Sequence, residues 1–164
     1  MKTVCCSGHR PKGLPWGSSS EGAEYDKYLK TMTFRILTLI DEGYTHFISG
    51  AALGVDMDFA EIVLYYRDKR ELPVTLECAI PCDNQTAKWS EDDKLRCEDI
   101  LSRADKITQV GTKYTMFCMQ KRNEYMVDNS DFVLVVWNGI EKGGTWNTLN
   151  YAKRKKKLIE LIEV

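Results

Sequence analysis

Short runs of β-branched and apolar residues alternate along the chain with longer stretches whose apolar positions recur every three or four residues. The short runs predict strands over Thr3 to Ser7, Thr45 to Ser49, Val74 to Ile80, Lys106 to Val110, Phe132 to Trp137 and Lys157 to Glu163. Several are apolar at successive positions, as strands covered by helices on both faces must be.

The longer stretches are amphipathic. Leu29, Met32, Ile36, Leu37 and Ile40 share one helical face, and Gly43 follows where a helix ends in a left-handed residue. Asp56 to Arg70 carries Phe59, Val63 and Tyr66 on one stripe, and Ser90 with Asp93 three residues later predicts an N-cap for a helix running to Ser102. Helices over Met116 to Asn129 and Thr145 to Lys156 complete the alternation. No Pro/Gly/Ser-rich linker divides the chain, no repeat is present, and Gly17-Ser18-Ser19-Ser20 reads as a flexible loop. The expectation is an α/β fold in which residues 1–164 form a single Rossmann-like three-layer domain with a largely parallel sheet of about six strands.

Composition changes this picture little. With 43% hydrophobic and 29% charged residues, the 164-residue chain has the make-up of an ordinary globular domain. Its 23 Lys and Arg against 24 Asp and Glu leave a formal net charge of -1, so any polyanion binding must be local and nucleic acid is not an expected partner. No run of about 18 apolar residues and no signal-peptide pattern is found, from which a cytoplasmic protein without membrane contact is expected. Cys5, Cys6, Cys78, Cys82, Cys97 and Cys118 form no C-x-x-C pair and fall mostly in apolar or helical stretches, so free buried thiols are expected. His9 and His46 are the only histidines and neither has ligand spacing, so no metal and no cofactor is expected.

In a parallel sheet the loops leaving the carboxyl ends of the strands share one edge, and ligands bind where neighbouring loops diverge. The unusual residues of this chain gather there: Gly8, His9 and Arg10 after the first strand, Ser49, Gly50, Ala51, Gly54 and Asp56 after the second, Pro81, Gln85 and Trp89 after the third. Gly143, Gly144 and Thr145 follow the fifth, and the helix before it offers Arg122 and Asn123. Two of these segments are small-residue turns leading into helices, where missing side chains and unpaired N–H groups favour an anion. Gly50 with Gly54, and Gly143 with Gly144 and Thr145, are therefore candidate phosphate cradles, although neither matches a Walker A or a full G-x-G-x-x-G pattern. Arg10 and Arg122 could each fork onto a phosphate, and Trp89 could stack on a base. Asp56 caps its helix, bonds a ribose hydroxyl, or does both, while Asp131 is read as fixing local backbone. No Ser/His/Asp triad and no paired carboxylates for acid–base work can be assembled. The basic run Lys153 to Lys157 is read as a solvated helix end.

Taken together, Gly8-His9-Arg10-Pro11, Ser49 to Asp56, Gln85 to Trp89, Arg122-Asn123 and Gly143-Gly144-Thr145 resemble the YpsA-type branch of the SLOG superfamily, which includes DprA and the LOG phosphoribohydrolases. The resemblance runs from Cys6 to Ala152 and implies strand-end loops that bind nucleotides or nucleotide-derived ligands. Where DprA proteins carry a basic residue in the loop that contacts single-stranded DNA, this chain has Leu53. Where LOG proteins carry a glutamate after the glycine turn, it has Thr148, with Asn147 beside it.

Glycosidic cleavage passes through oxocarbenium character that a carboxylate usually stabilises. The expected function is therefore binding ahead of hydrolysis: a nucleotide sensor, or a protein that sequesters a nucleotide signal as in phage counter-defence. The alternatives are a nucleotide N-glycosidase using Arg122 and a carboxylate such as Glu141, and a protein of single-stranded DNA, division or recombination. A homo-oligomer is left open.

Overall fold

The computed structural model describes all 164 residues. Strand β1 (Lys2–Gly8) leads through a 3-10 turn at Pro11–Gly13 to helix α1 (Ala23–Asp41), then β2 (Tyr44–Ser49), α2 (Val55–Lys69), β3 (Thr75–Ile80) and α3 (Glu91–Arg103). Strand β4 (Lys106–Gln109), α4 (Cys118–Asp128), β5 (Phe132–Trp137), α5 (Gly144–Arg154) and β6 (Leu158–Glu163) follow. All six strands run parallel in the order β4-β3-β2-β1-β5-β6. This is the Rossmann-like α/β arrangement expected.

Side chains alternate between the two faces of the sheet, so each central strand feeds two cores. Val4 and Cys6 of β1 and Leu134 and Val136 of β5 pack with α1, α2 and α3, around Met32, Ile36, Phe47 and Phe59. Cys5, Val133 and Val135 point the other way, against Met126 and Val127 of α4 and Leu149 and Ala152 of α5. Phe47, Phe59 and Met32 are wholly buried, each contributing about 1.5–3 kcal/mol relative to exposure. All six cysteines are buried and free.

Local signals set the ends of the elements. Gly43 follows α1 with φ 93°, and Ser90 caps α3 by accepting a hydrogen bond from the Asp93 amide at 3.2 Å. Asp131 fixes the backbone as read: its carboxylate accepts from the Thr3 amide at 2.8 Å, and its own amide donates to the Thr3 carbonyl. Helix α1 begins six residues before Leu29, because Tyr25 and Tyr28 extend its apolar stripe by a turn and pack on Trp16, Tyr28 stacked and Tyr25 edge-on. No helix is long and apolar enough to cross a membrane.

From β1 the chain steps outward to β2, β3 and β4, then returns across the other face through α4 to β5. The strand order therefore reverses between β1 and β5, and the loops leaving those neighbours part to form a crevice.

Candidate functional site

The crevice is a cavity of about 840 Å³ at the carboxyl edge of the sheet, bounded by loops after β1, β2, β3, β4 and β5 and by the start of α4 and α5. Of the two glycine corners, the one at α5 faces it. Gly143 takes φ 91° and ψ -175°, a backbone state open essentially to glycine alone, and this turns the chain straight into α5. No side chain caps the helix and its first turn holds no acid. The first helical bond runs from the Asn147 amide to the Gly143 carbonyl. The amides of Gly144, Thr145 and Trp146 therefore lack helical acceptors, and the positive helix end points to the side where Lys142 also stands.

The corner at α2 serves a different purpose. A Cβ on Gly50 would stand 2.5 Å from Asp56 Oδ2 and 2.6 Å from Arg122 Nη1, so the missing side chain lets these two groups close over the backbone. Gly54 has φ 90° and lies against the β1 loop, where a Cβ would come within 2.5 Å of the His9 carbonyl oxygen. That carbonyl accepts from the Val55 amide at 3.2 Å. Ser49 Oγ donates to the Asp56 carbonyl at 2.7 Å and accepts from the Ala51 amide at 3.1 Å. Acidic Asp56 and Asp58 already occupy the first turn of α2, so its dipole is met from within the chain.

Arg122 lies beneath this loop, almost wholly buried. Its Nη1 donates to the Gly50 carbonyl at 2.6 Å and to Gln85 Oε1 at 3.3 Å, and its Nε donates to Asn123 Oδ1 at 2.8 Å. Burial presses the guanidinium below its usual pKa, and Asp56 opposes the shift. Burial also raises the Asp56 pKa, with Arg122 and the Ala52 amide working against it. His9 bridges the parted loops. Its Nε2 accepts from the Asn138 amide at 3.0 Å, and Asn138 in turn donates to the Gly13 carbonyl. Burial lowers the His9 pKa, in keeping with an unprotonated acceptor nitrogen.

Of the residues expected at the site, Gly8, His9, Arg10, Asp56, Gln85, Trp89, Arg122, Asn123, Gly143, Gly144 and Thr145 line the cavity. Ser49, Gly50, Ala51, Gly54 and Pro81 do not; they stand behind its wall as supports. Thr148 is buried and donates to the Gly144 carbonyl at 2.8 Å, while Glu141 is exposed and outside the lining. The lining carries Arg10, Lys88, Arg122 and Lys142 against one carboxylate, Asp56, so the local charge is strongly positive in a chain of net charge -1.

A family model described as the YspA SLOG family, YpsA, matches residues 4–164. The chain belongs to the YpsA family of SLOG proteins. Among YpsA-type relatives, the SPbeta prophage-derived protein YoqJ of Bacillus subtilis (strain 168) is 36% identical over 137 residues, covering 73% of this chain and 79% of YoqJ. The UPF0398 protein BH1768 of Halalkalibacterium halodurans is 28% identical over 160 residues, with 96% and 83% covered. The UPF0398 protein lin2003 of Listeria innocua is 26% identical over 148 residues, with 88% and 79% covered.

Within this YpsA chain, nine cavity residues were not among the candidates: Ser7, Ala52, Leu53, Asn84, Ala87, Lys88, Tyr114, Met119 and Lys142. Lys88 sits between Gln85 and Trp89, which were both singled out, so its charge in that loop was an available signal. Tyr114 gave none, since only the course of the β4–α4 loop brings it to the cavity mouth.

Proposed function

We propose that this protein binds a nucleotide or nucleotide-derived phosphate ligand in the carboxyl-edge cavity, as a sensor or by sequestering a nucleotide signal. One observation carries the reading: an uncapped helix N-terminus and four cationic side chains face one cavity that contains a single carboxylate. The open amides and Lys142 suit a phosphate, and half-buried Trp89 offers an aromatic face to a base. Asp56 stands where it can accept from a sugar hydroxyl.

Binding is favoured over cleavage because Thr148 stands where a LOG protein has glutamate and the lining holds no second carboxylate. The SPbeta prophage derivation of YoqJ is in keeping with sequestration of a signalling nucleotide. The test is mass spectrometry of material released by denaturing the purified protein, together with calorimetric titration of mono- and dinucleotides and ADP-ribose. Intact nucleotide in the released material supports binding. Free base with sugar phosphate would instead establish hydrolysis, and no heat with any of these ligands would remove the nucleotide reading.

A further inference from the structure

The cavity cations come from four different elements. Lys142 belongs to the loop after β5, Arg10 to the loop after β1, Arg122 to α4, and Lys88 to the loop after β3. None of the four belongs to an ion pair, whereas Arg67, Arg96 and Arg103 on the outer helices are all paired with carboxylates. Strands β3 and β5 are separated by β2 and β1, which is three strand spacings, or about 14 Å. Lys88 and Lys142 are thus carried by loops rooted three strands apart along the sheet edge.

Charge matching leads the same way. Four cations and one carboxylate leave three net positive charges facing the cavity, and a single terminal phosphate supplies only about two negative ones. The volume of about 840 Å³ is near the upper end for pockets that hold drug-sized molecules. The Lys88 end also carries Asn84, Gln85 and Trp89, so it combines a stacking face and amide groups with its charge.

We infer that the cavity takes a nucleoside bearing phosphates at two separate positions, one at Gly143 to Thr145 beside Lys142 and the other within reach of Lys88. This rests on the nucleotide reading above and adds the number and separation of the anionic groups. The test titrates the full chain with the 5′-monophosphates, 5′-diphosphates and 3′,5′-bisphosphates of adenosine and guanosine, then repeats the series with Lys88→Ala. The exposed position of Lys88 leaves the fold of that variant intact.

For one of the two bases, the 3′,5′-bisphosphate is expected to bind at least about ten-fold tighter than the 5′-monophosphate, a factor worth about 1.4 kcal/mol. In Lys88→Ala that ratio is expected to collapse towards one. Equal gains from the 5′-diphosphate, or a ratio that survives Lys88→Ala, would overturn the two-ended ligand while leaving nucleotide binding in place. Absence of binding by every probe would overturn both.

Discussion

Gly54→Ala separates a glycine that packs against a neighbouring loop from one that only turns the chain. Gly54 and Gly22 are both helix N-caps with positive φ, at 90° and 103°, and neither helix has a side-chain cap. Alanine in such a backbone state costs about 1–3 kcal/mol at either position. The surroundings then differ: nothing lies within 4 Å of a Cβ on Gly22, whereas a Cβ on Gly54 meets the His9 carbonyl oxygen at 2.5 Å and Arg10 Cα at 3.1 Å. Both are backbone atoms and cannot swing aside. Overpacking there adds about 1–3 kcal/mol, and parting the Val55 amide from the His9 carbonyl adds about 0.5–1.5 kcal/mol. Gly54→Ala is thus expected to cost about 2–4 kcal/mol more than Gly22→Ala. In urea unfolding, with a slope of about 2 kcal/mol/M, the midpoints should stand about 1–2 M apart. Midpoints agreeing within about 0.3 M would refute the reading of Gly54 as a packing contact between the β1 and β2 loops.

Gly144→Val places its side chain in open space, since no atom lies within 4 Å of its Cβ. Stability should change by less than about 1 kcal/mol, while calorimetry should show nucleotide affinity falling by ten-fold or more as the amides of α5 are screened. Arg122→Met removes the donor to the buried Gly50 carbonyl and weakens the charge that opposes the burial of Asp56, so a loss of about 1–3 kcal/mol is expected. Adding Asp56→Asn should restore part of that loss in denaturant titrations; a strictly additive double variant would refute the coupling. Glu77 is buried on β3, where burial raises its pKa but hydrogen bonds from Thr108, Tyr125 and His46, with nearby Lys106, lower it more. A depressed folded pKa means that its stabilisation is present above the unfolded value near 4.5 and is lost as pH falls through the folded value. Glu77→Gln should therefore be less stable than the parent at pH 7, and the gap should narrow below pH 4.5 when unfolding is followed by circular dichroism.

The outlines of the site were legible because glycines, arginines and an aromatic at strand ends are unusual against an apolar background. Gly143 and Gly144, read from the sequence as a candidate phosphate corner, lie on the cavity lining. Gly50 and Gly54 carried the same local signal, yet their missing side chains make room for Asp56, Arg122 and the β1 loop. A small residue marks close approach without saying what approaches, because the neighbour comes from a distant part of the chain. Arg122 shows the same limit: its place was anticipated, but not that its Nη1 and Nε serve Gly50, Gln85 and Asn123.

The sequence alone determined the six strands, the five helices and most of their ends, since a period of two or of about 3.6 is written in adjacent residues and caps act within one turn. Strand order was decided by tertiary structure, because parallel strands apolar on both faces carry no local label for their partners. The placing of β1 between β2 and β5 sets the β1 and β5 loops side by side, and the positions of β3 and β5 in the sheet spread the cations along the cavity. That positive field is a sum over loops far apart in sequence, invisible in a chain whose charges nearly cancel.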